Sequence, residues 1–143
     1  MGCPIGGVLA GSDEFIEKSW LWKQRLGGSM RQSGMMAAAG IFALDNNIER
    51  LEDDHKNARS FAKKLSAIKG IEINPSLVET NIVICKVVSE KISAKELVTK
   101  LSTIGIRIGA LTERELRIVT HLDVNEKQLE KAVEEISKIM LTA

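Results

Sequence analysis

The sequence predicts an α/β fold of the α+β type, in which a long helix precedes a small sheet of three or four mostly antiparallel strands covered on one face by helices. Two observations predict it. Apolar residues recur at helical spacing from Ile48 to Ile68 with charges between them, which is typical of an amphipathic helix. After Gly70 the period changes to short runs rich in β-branched residues, such as Asn81–Val88, which are typical of strands.

The segment before this layer, residues 1–46, predicts a different set of elements. We expect a strand over Gly7–Gly11, a helix from Asp13 to about Arg25 and a second helix from about Met30 to about Leu44. Ser12 and Asp13 are favourable N-cap residues for the first helix, and Gly27-Gly28 ends it. The second helix is nearly free of charge and would be well buried only against more protein. We therefore expect residues 1–46 to be left from a larger domain and residues 47–143 to form a small α+β domain.

Local signals define each element of residues 47–143 in turn. The long helix ends near Gly70, which stands where a C-terminal cap belongs. Ser93 and Glu96 form a capping box for the next helix, which ends at Gly105, and Asn125 caps the last helix. The strands are expected at Ile71–Ile73, Asn81–Val88, Ile106–Ala110 and Glu115–Thr120. The apolar face of the last helix is expected to consist of Leu129, Val133, Ile136 and Met140.

The charge of the chain does not indicate a charged partner. Its 143 residues are 44% hydrophobic and 27% charged, which is ordinary for one globular domain with a core. Basic and acidic residues are interspersed and leave a net charge of +1, so we expect neither a nucleic acid nor a membrane as partner. No apolar run is long enough to cross a bilayer, and the N-terminus lacks the pattern of a secretory signal. We expect a soluble, cytoplasmic protein.

Cysteine and histidine are too scarce for a metal site or a disulfide framework. Cys3 and Cys85 are the two cysteines, and His55 and His121 are the two histidines. A structural zinc site takes four such ligands at short spacings, and this sequence has no such pattern. We expect no metal, and we expect reduced, buried thiols, because cysteine is among the residue types most often buried.

Two stretches place a positive charge in a setting suited to an anion. In RLGGSMRQSG, a Gly-Gly-Ser turn leads into the second predicted helix, whose second residue is Arg31. Free backbone N–H groups, the positive helix end and a guanidinium would converge there. In ELRIVTHLD, Arg117 lies inside an apolar strand, where a charge is costly unless a partner satisfies it.

Each arginine also has an interpretation without a function. A plain turn between helices with a solvated side chain accounts for Arg31 at least as well, and the open face of an edge strand accounts for Arg117. No stretch offers a nucleophile beside a base, or two carboxylates that spacing would place on one face. The residues by themselves therefore predict anion recognition and leave the reaction open.

Beyond these local signals, the whole chain resembles the threonine aldolases, which are pyridoxal-phosphate lyases of the aspartate-aminotransferase fold. The resemblance begins with GCPIGGVLAG and LGGSMRQSG and continues through TNIVI, GIRIGA and LRIVTHLDV in the family's order. The motifs LGGxMRQxG and RxVTHxDV are widely separated, and the elements between them keep their register. The resemblance implies that residues 47–143 correspond to the C-terminal domain of the fold type I pyridoxal-phosphate enzymes. It also implies that the residues before them are a strand and two helices left from the large cofactor-binding domain of these enzymes.

The resemblance also implies roles for both arginines. Arg117 matches the arginine that holds the substrate carboxylate. Arg31 matches an arginine of the cofactor site, which reaches the site of the neighbouring subunit in a homo-oligomer. The lysine that forms the Schiff base with pyridoxal phosphate would lie two residues upstream of Met1, so no catalytic residue is expected within the chain. The family usually has a lysine where this sequence has Gln24.

The function that the resemblance implies is cleavage of β-hydroxy amino acids such as threonine to glycine and an aldehyde. This chain would be the C-terminal portion of such a lyase, inactive alone and without a covalently bound cofactor. The alternative is a non-catalytic α+β module for binding or dimerisation.

Overall fold

A computed structural model describes residues 1–142 of the chain. These residues form five α-helices, four β-strands and one short 3-10 helix. The helices are α1 (Asp13–Arg25), α2 (Gly34–Asn46), α3 (Leu51–Leu65), α4 (Ala94–Thr103) and α5 (Glu126–Thr142). The strands are β1 (Ile71–Glu72), β2 (Ile82–Val87), β3 (Gly109–Ala110) and β4 (Glu115–Val119), and the 3-10 helix is Pro75–Leu77. The chain divides into two compact units, Met1–Ile48 and the residues from Glu49 onward.

Helix α1 has the boundaries that its sequence predicts. The Ser12 hydroxyl accepts a hydrogen bond from the Phe15 N–H at 3.4 Å, which caps the first turn. Acidic side chains in the first turn and basic side chains in the last turn interact favourably with the helix dipole. Gly27 follows the C-cap Leu26 with a φ of +75°, a left-handed conformation that glycine adopts without strain and that ends the helix.

The strand predicted over Gly7–Gly11 is wrong, because these residues have no regular secondary structure. A strand needs the backbone hydrogen bonds of a neighbouring strand, and within residues 1–48 the structure contains no strand. The second helix also begins later than predicted, at Gly34 instead of Met30. Residues 31–33 form a turn in which Gln32 has a φ of 50°, and this left-handed residue interrupts a right-handed helix.

The first unit exposes most of its apolar side chains. Within residues 1–48, Ala43 is the one buried residue. Val8, Met35 and Phe42 are exposed to 90%, 78% and 62%. Large apolar side chains exposed in such number are often covered by other protein in natural structures.

Helix α3 forms part of the core of the second unit. Its apolar residues recur at the predicted helical spacing, and those that are buried are Ala58, Phe61, Ala62 and Leu65. The helix ends at Leu65, so Gly70 is not its C-terminal cap as predicted. The Ile68 N–H donates to the Leu65 carbonyl oxygen at 3.0 Å and tightens the chain into a turn. Gly70 follows in that turn with a φ of +91°.

The four strands form one antiparallel sheet in the order β1-β2-β4-β3, which confirms the predicted small antiparallel sheet. In the β2–β4 pair, Val83 pairs with Ile118 and Cys85 pairs with Leu116, and all four side chains are buried. Exposed residues alternate with them along both strands. The sheet therefore has one face in the core and one exposed face.

Helices α4 and α5 complete the core. The predicted capping box of α4 is present, since the Glu96 N–H donates to the Ser93 hydroxyl at 3.2 Å and the Ser93 N–H donates to Glu96 Oε2 at 2.8 Å. In α5, the predicted core residue Val133 is only partly buried, and its neighbour Ala132 is buried instead. The other predicted core residues of α5 are buried, namely Leu129, Ile136 and Met140.

Both cysteines are free thiols. Cys85 is 2% exposed, and burial raises the pKa of its thiol to about 11. Cys3 is partly buried, with its Sγ 3.6 Å from the Ala39 carbonyl oxygen. The expectation of a buried thiol therefore holds fully only for Cys85, which stays protonated at neutral pH and acts as a small core residue.

Two further properties of residues 1–142 bear on function. None of their helices has both the length and the apolar character that crossing a membrane requires. In the same residues, histidine, cysteine, aspartate and glutamate form no group of three or more that could hold a metal ion.

Candidate functional site

Arg117 lies on β4, which is a central strand of the sheet between β2 and β3. The interpretation of Arg117 as an edge-strand residue is therefore wrong. Its register partners are Ile84 on β2 and Gly109 on β3, and its side chain lies on the exposed face of the sheet. None of the salt bridges formed within residues 1–142 involves Arg117.

The exposed face beside Arg117 is partly apolar. Ile82, Ile84 and Val119 lie on this face and are 36%, 51% and 39% exposed. Apolar neighbours reduce the number of waters that compete for a guanidinium, which strengthens its pairing with an anion. The planar fork of arginine matches the two oxygens of a carboxylate. The arrangement around Arg117 is therefore suited to holding one carboxylate group.

A buried polar cluster fixes the end of β4, and no sequence signal predicted it. Thr120 is fully buried, and its hydroxyl donates to the Asp54 carbonyl oxygen at 2.7 Å. The Thr120 N–H donates to the Asn81 carbonyl oxygen at 3.0 Å. The Asn81 side-chain amide donates to the Thr120 carbonyl oxygen at 2.7 Å. All polar groups of Thr120 are thus paired, which joins the end of β4 to α3 and to the start of β2.

The side chain of Asp54 is a buried charge that Arg50 neutralises. Asp54 is 2% exposed, and its two carboxylate oxygens accept hydrogen bonds from Arg50 Nη1 and Nη2 at 2.9 and 2.6 Å. The hydrogen bonds to Asp54 raise the pKa of Arg50 above its ordinary value. The i,i+4 spacing of the two residues is a sequence signal for a helical ion pair. Spacing alone does not show that the carboxylate is buried.

Arg31 lies in the turn between α1 and α2, and not on the second helix as predicted. Its side chain is exposed. The Ser29 hydroxyl is hydrogen bonded to Gln24 Oε1, which ties this turn to α1. Ser33, at the N-cap of α2, makes no side-chain capping hydrogen bond, so the first-turn N–H groups of α2 have no side-chain cap. Arg31 thus lies outside the helix, three residues before its first residue Gly34.

The two predicted site arginines belong to different units of the structure. Arg31 lies in Met1–Ile48, and Arg117 lies in the unit that begins at Glu49. Each is a single exposed guanidinium in a setting that suits one anionic group.

Comparison with known proteins identifies the family. The family model described as beta-eliminating lyase matches residues 1–88. Low-specificity L-threonine aldolase 1 of Arabidopsis thaliana is 34% identical over 143 residues, which cover 99% of this chain and 40% of that protein. Low specificity L-threonine aldolase of Escherichia coli (strain K12) is 37% identical over 129 residues, which cover 90% of this chain and 37% of that protein. The chain thus spans about two fifths of the length of these relatives.

Solved structures share the fold. A lysine-to-alanine mutant of C-DES, with glycine covalently linked to its PLP cofactor, matches with a TM-score of 0.61 at 15% identity, over 73% of this chain and 28% of that chain. Plasmodium falciparum ornithine delta-aminotransferase matches with a TM-score of 0.55 at 13% identity, over 75% of this chain and 28% of that chain. These similarities confirm the predicted fold class, that of the fold type I pyridoxal-phosphate enzymes.

The comparisons agree with the motifs on which the resemblance rests. The matched region of the family model includes the stretch LGGSMRQSG, and the relatives extend the match through the strand that carries Arg117. The chain therefore belongs to the beta-eliminating lyase family, and at least 90% of it is similar to about two fifths of the low-specificity L-threonine aldolases.

Proposed function

We propose that the complete enzyme uses pyridoxal phosphate to cleave the bond between Cα and Cβ of β-hydroxy amino acids such as threonine, giving glycine and an aldehyde. The observation that carries the proposal is the similarity to low-specificity L-threonine aldolases over at least 90% of this chain. The PLP cofactor of the C-DES mutant, which shares the fold, supports the choice of cofactor.

Residues of the first unit fit the phosphate group of this cofactor. Arg31 is an exposed guanidinium, and the first-turn amides of α2 have no side-chain cap. Guanidinium groups and helix N-termini are donors that bind phosphate in many proteins. We assign Arg31 to the cofactor site on this ground. The pyridine ring of the bound cofactor supplies the electron sink for bond cleavage.

Arg117 is assigned to the substrate carboxylate. A bidentate pair with the planar guanidinium holds an amino acid in one orientation, which is a positioning role in the cleavage of its Cα–Cβ bond. The apolar neighbours Ile84 and Val119 favour this pairing. The paired polar groups of Thr120 fix the end of the strand that carries Arg117, so the arginine is held on a rigid element before the substrate binds.

The proposal is tested by joining this chain to the upstream part of the Arabidopsis relative and measuring release of glycine from threonine. We expect the joined protein to release glycine, and we expect this chain alone and the upstream part alone to release none. Cofactor binding is followed by absorbance, and folding by circular dichroism. A joined protein that folds and binds the cofactor but releases no glycine would contradict the proposed activity.

We also infer that the protein forms a homo-oligomer through the first unit. Trp20, Met35 and Phe42 are 56%, 78% and 62% exposed. Burying such side chains against a second copy of the same surface is favourable, because each removes apolar area from water. A surface of this kind is also what a stable interface between identical subunits requires.

A cytoplasmic location remains our proposal for the compartment. Both cysteines are free thiols, which supports this assignment, because reducing compartments keep thiols in that state.

A further inference from the structure

Gly109 is the residue of β3 that pairs with Arg117 across the β3–β4 ladder. Directly opposite residues of an antiparallel pair project from the same face, with Cβ atoms about 4.5–5.5 Å apart. Both residues are exposed. The position beside Arg117 on β3 therefore carries no side chain, whereas the position beside it on β2 carries Ile84.

Neither the backbone nor the packing requires a glycine at this position. Gly109 is not among the residues with positive φ, so its conformation is open to any L-residue. A Cβ built on Gly109 would lie 3.5 Å from its nearest neighbour, the Arg117 carbonyl oxygen, which is an ordinary van der Waals contact. Glycine is unfavourable within a strand and often marks a place where another group approaches closely.

We propose that Gly109 is an access-determining residue, whose missing side chain keeps one flank of the Arg117 guanidinium open to the carboxylate of the substrate. A larger residue at position 109 would lie against the Arg117 side chain and cover the guanidinium on that flank. The opposite flank is already bordered by Ile84, which is 51% exposed. The inference rests on the proposed role of Arg117 and adds a residue that controls it.

The first test measures access to Arg117 in the 143-residue chain, without any enzyme activity. Phenylglyoxal reacts with exposed guanidinium groups, and mass spectrometry of peptides gives the rate at each arginine. Gly109→Val should slow the reaction of Arg117 at least about threefold, because a valine directly opposite covers one flank. Arg59, which is exposed on α3 and lies outside the strands, is the internal reference. An unchanged rate at Arg117 overturns the proposal.

The second test measures the kinetics of the joined protein described above. Gly109→Val should raise KM for threonine by roughly tenfold, and kcat should change much less, because the variant obstructs binding and leaves the reacting groups in place. Gly109→Ala should give a smaller rise in KM. Glu72→Val is the matched control, since it puts a valine on the exposed face of β1, which is separated from β4 by β2. A KM equal to that of the control overturns the proposal.

Folding is checked by thermal melting of each variant of the 143-residue chain. Valine is favoured in strands, so Gly109→Val should melt no lower than the natural sequence. If Gly109→Val does not fold, Gly109→Ala decides the question. We then expect phenylglyoxal to react with Arg117 more slowly in Gly109→Ala than in the natural sequence. An unchanged rate overturns the proposal. If the joined protein without substitutions releases no glycine, the proposed function fails. The phenylglyoxal rates still decide the role of Gly109 in that case.

Discussion

Arg50 and Asp54 form a buried charge pair whose two members depend on each other. The Asp54 side chain is almost fully buried, and the Arg50 side chain is 26% exposed. A carboxylate in such surroundings is costly unless a partner compensates its charge. Arg50 compensates the charge by donating two hydrogen bonds to the Asp54 carboxylate. The backbone carbonyl oxygen of Asp54 also accepts a hydrogen bond from the Thr120 hydroxyl.

Removing Arg50 should therefore destabilise the second unit. Breaking one half of a buried pair leaves an uncompensated charge, and we expect Arg50→Ala to lower the free energy of unfolding by about 2–4 kcal/mol. Urea unfolding followed by circular dichroism measures this difference. Arg59→Ala is the control, because Arg59 is exposed on the same helix. If both variants unfold at the same urea concentration, the pair contributes nothing to stability.

The residues of the candidate site differ in how far the sequence predicts them. Arg117 could be found because a charge inside an apolar run is unusual at any position in a fold. Gly109 and Thr120 could not be assigned roles, since their neighbours are set by strand register and by packing between distant segments. The Gly-Gly-Ser turn before Arg31 makes it a candidate from the sequence. Its place in a turn depends on the left-handed conformation of Gln32, which the spacing of apolar residues does not indicate.

At the scale of elements, the capping box of α4 should make the free energy of unfolding depend on pH. The hydrogen bond from the Ser93 N–H lowers the pKa of Glu96 below its ordinary value of 4.5. A carboxyl group whose pKa is lower in the folded state stabilises the protein above the unfolded pKa. That contribution is lost as the pH falls through the lower, folded pKa.

Replacing Glu96 with glutamine should remove this dependence. We expect the natural protein to lose more stability than Glu96→Gln between pH 7 and about pH 3, because the amide keeps an acceptor but does not titrate in this range. The urea midpoint at each pH measures the difference. Glu79→Gln serves as control, since Glu79 is an exposed residue outside the helix. Equal pH dependence in both variants would show that the capping carboxylate adds no stability.

The elements of the second unit are those that the sequence predicts best. Each of its helices has an apolar face at helical spacing, and α4 has a capping box as well. The strand predicted over Gly7–Gly11 shows the opposite case. Its apolar composition favours a strand, but pairing is a property of two segments, and residues 1–48 supply no second strand.

At the scale of the whole molecule, the first unit and the second differ in how completely they bury their own apolar residues. The second unit encloses a core formed by three helices and one face of the sheet. The first unit leaves most of the large apolar side chains of α1 and α2 exposed. This exposure supports the proposed association of the first unit with a second copy of the chain.

A charge in this apolar surface should weaken association. Met35 is 78% exposed on α2, and we expect Met35→Glu to raise the dissociation constant of the oligomer at least about tenfold, because a buried carboxylate without a partner is costly. Sedimentation velocity at micromolar concentration measures the change. Glu52→Gln, an exposed change on α3 in the second unit, is the control. A natural chain that sediments only as a monomer contradicts the inferred oligomer.

The measurement that tests the central claim most directly is the effect of Arg117 on kcat/KM of the joined protein. A charge-assisted hydrogen bond contributes about 1.5–3 kcal/mol, so Arg117→Ala should lower kcat/KM for threonine roughly ten- to hundredfold. Arg117→Lys should recover only part of the loss, because a point charge does not reproduce the planar fork. Arg107→Ala should leave kcat/KM close to that of the natural sequence. If the two alanine variants fold, bind the cofactor and show the same kcat/KM, Arg117 does not hold the substrate carboxylate.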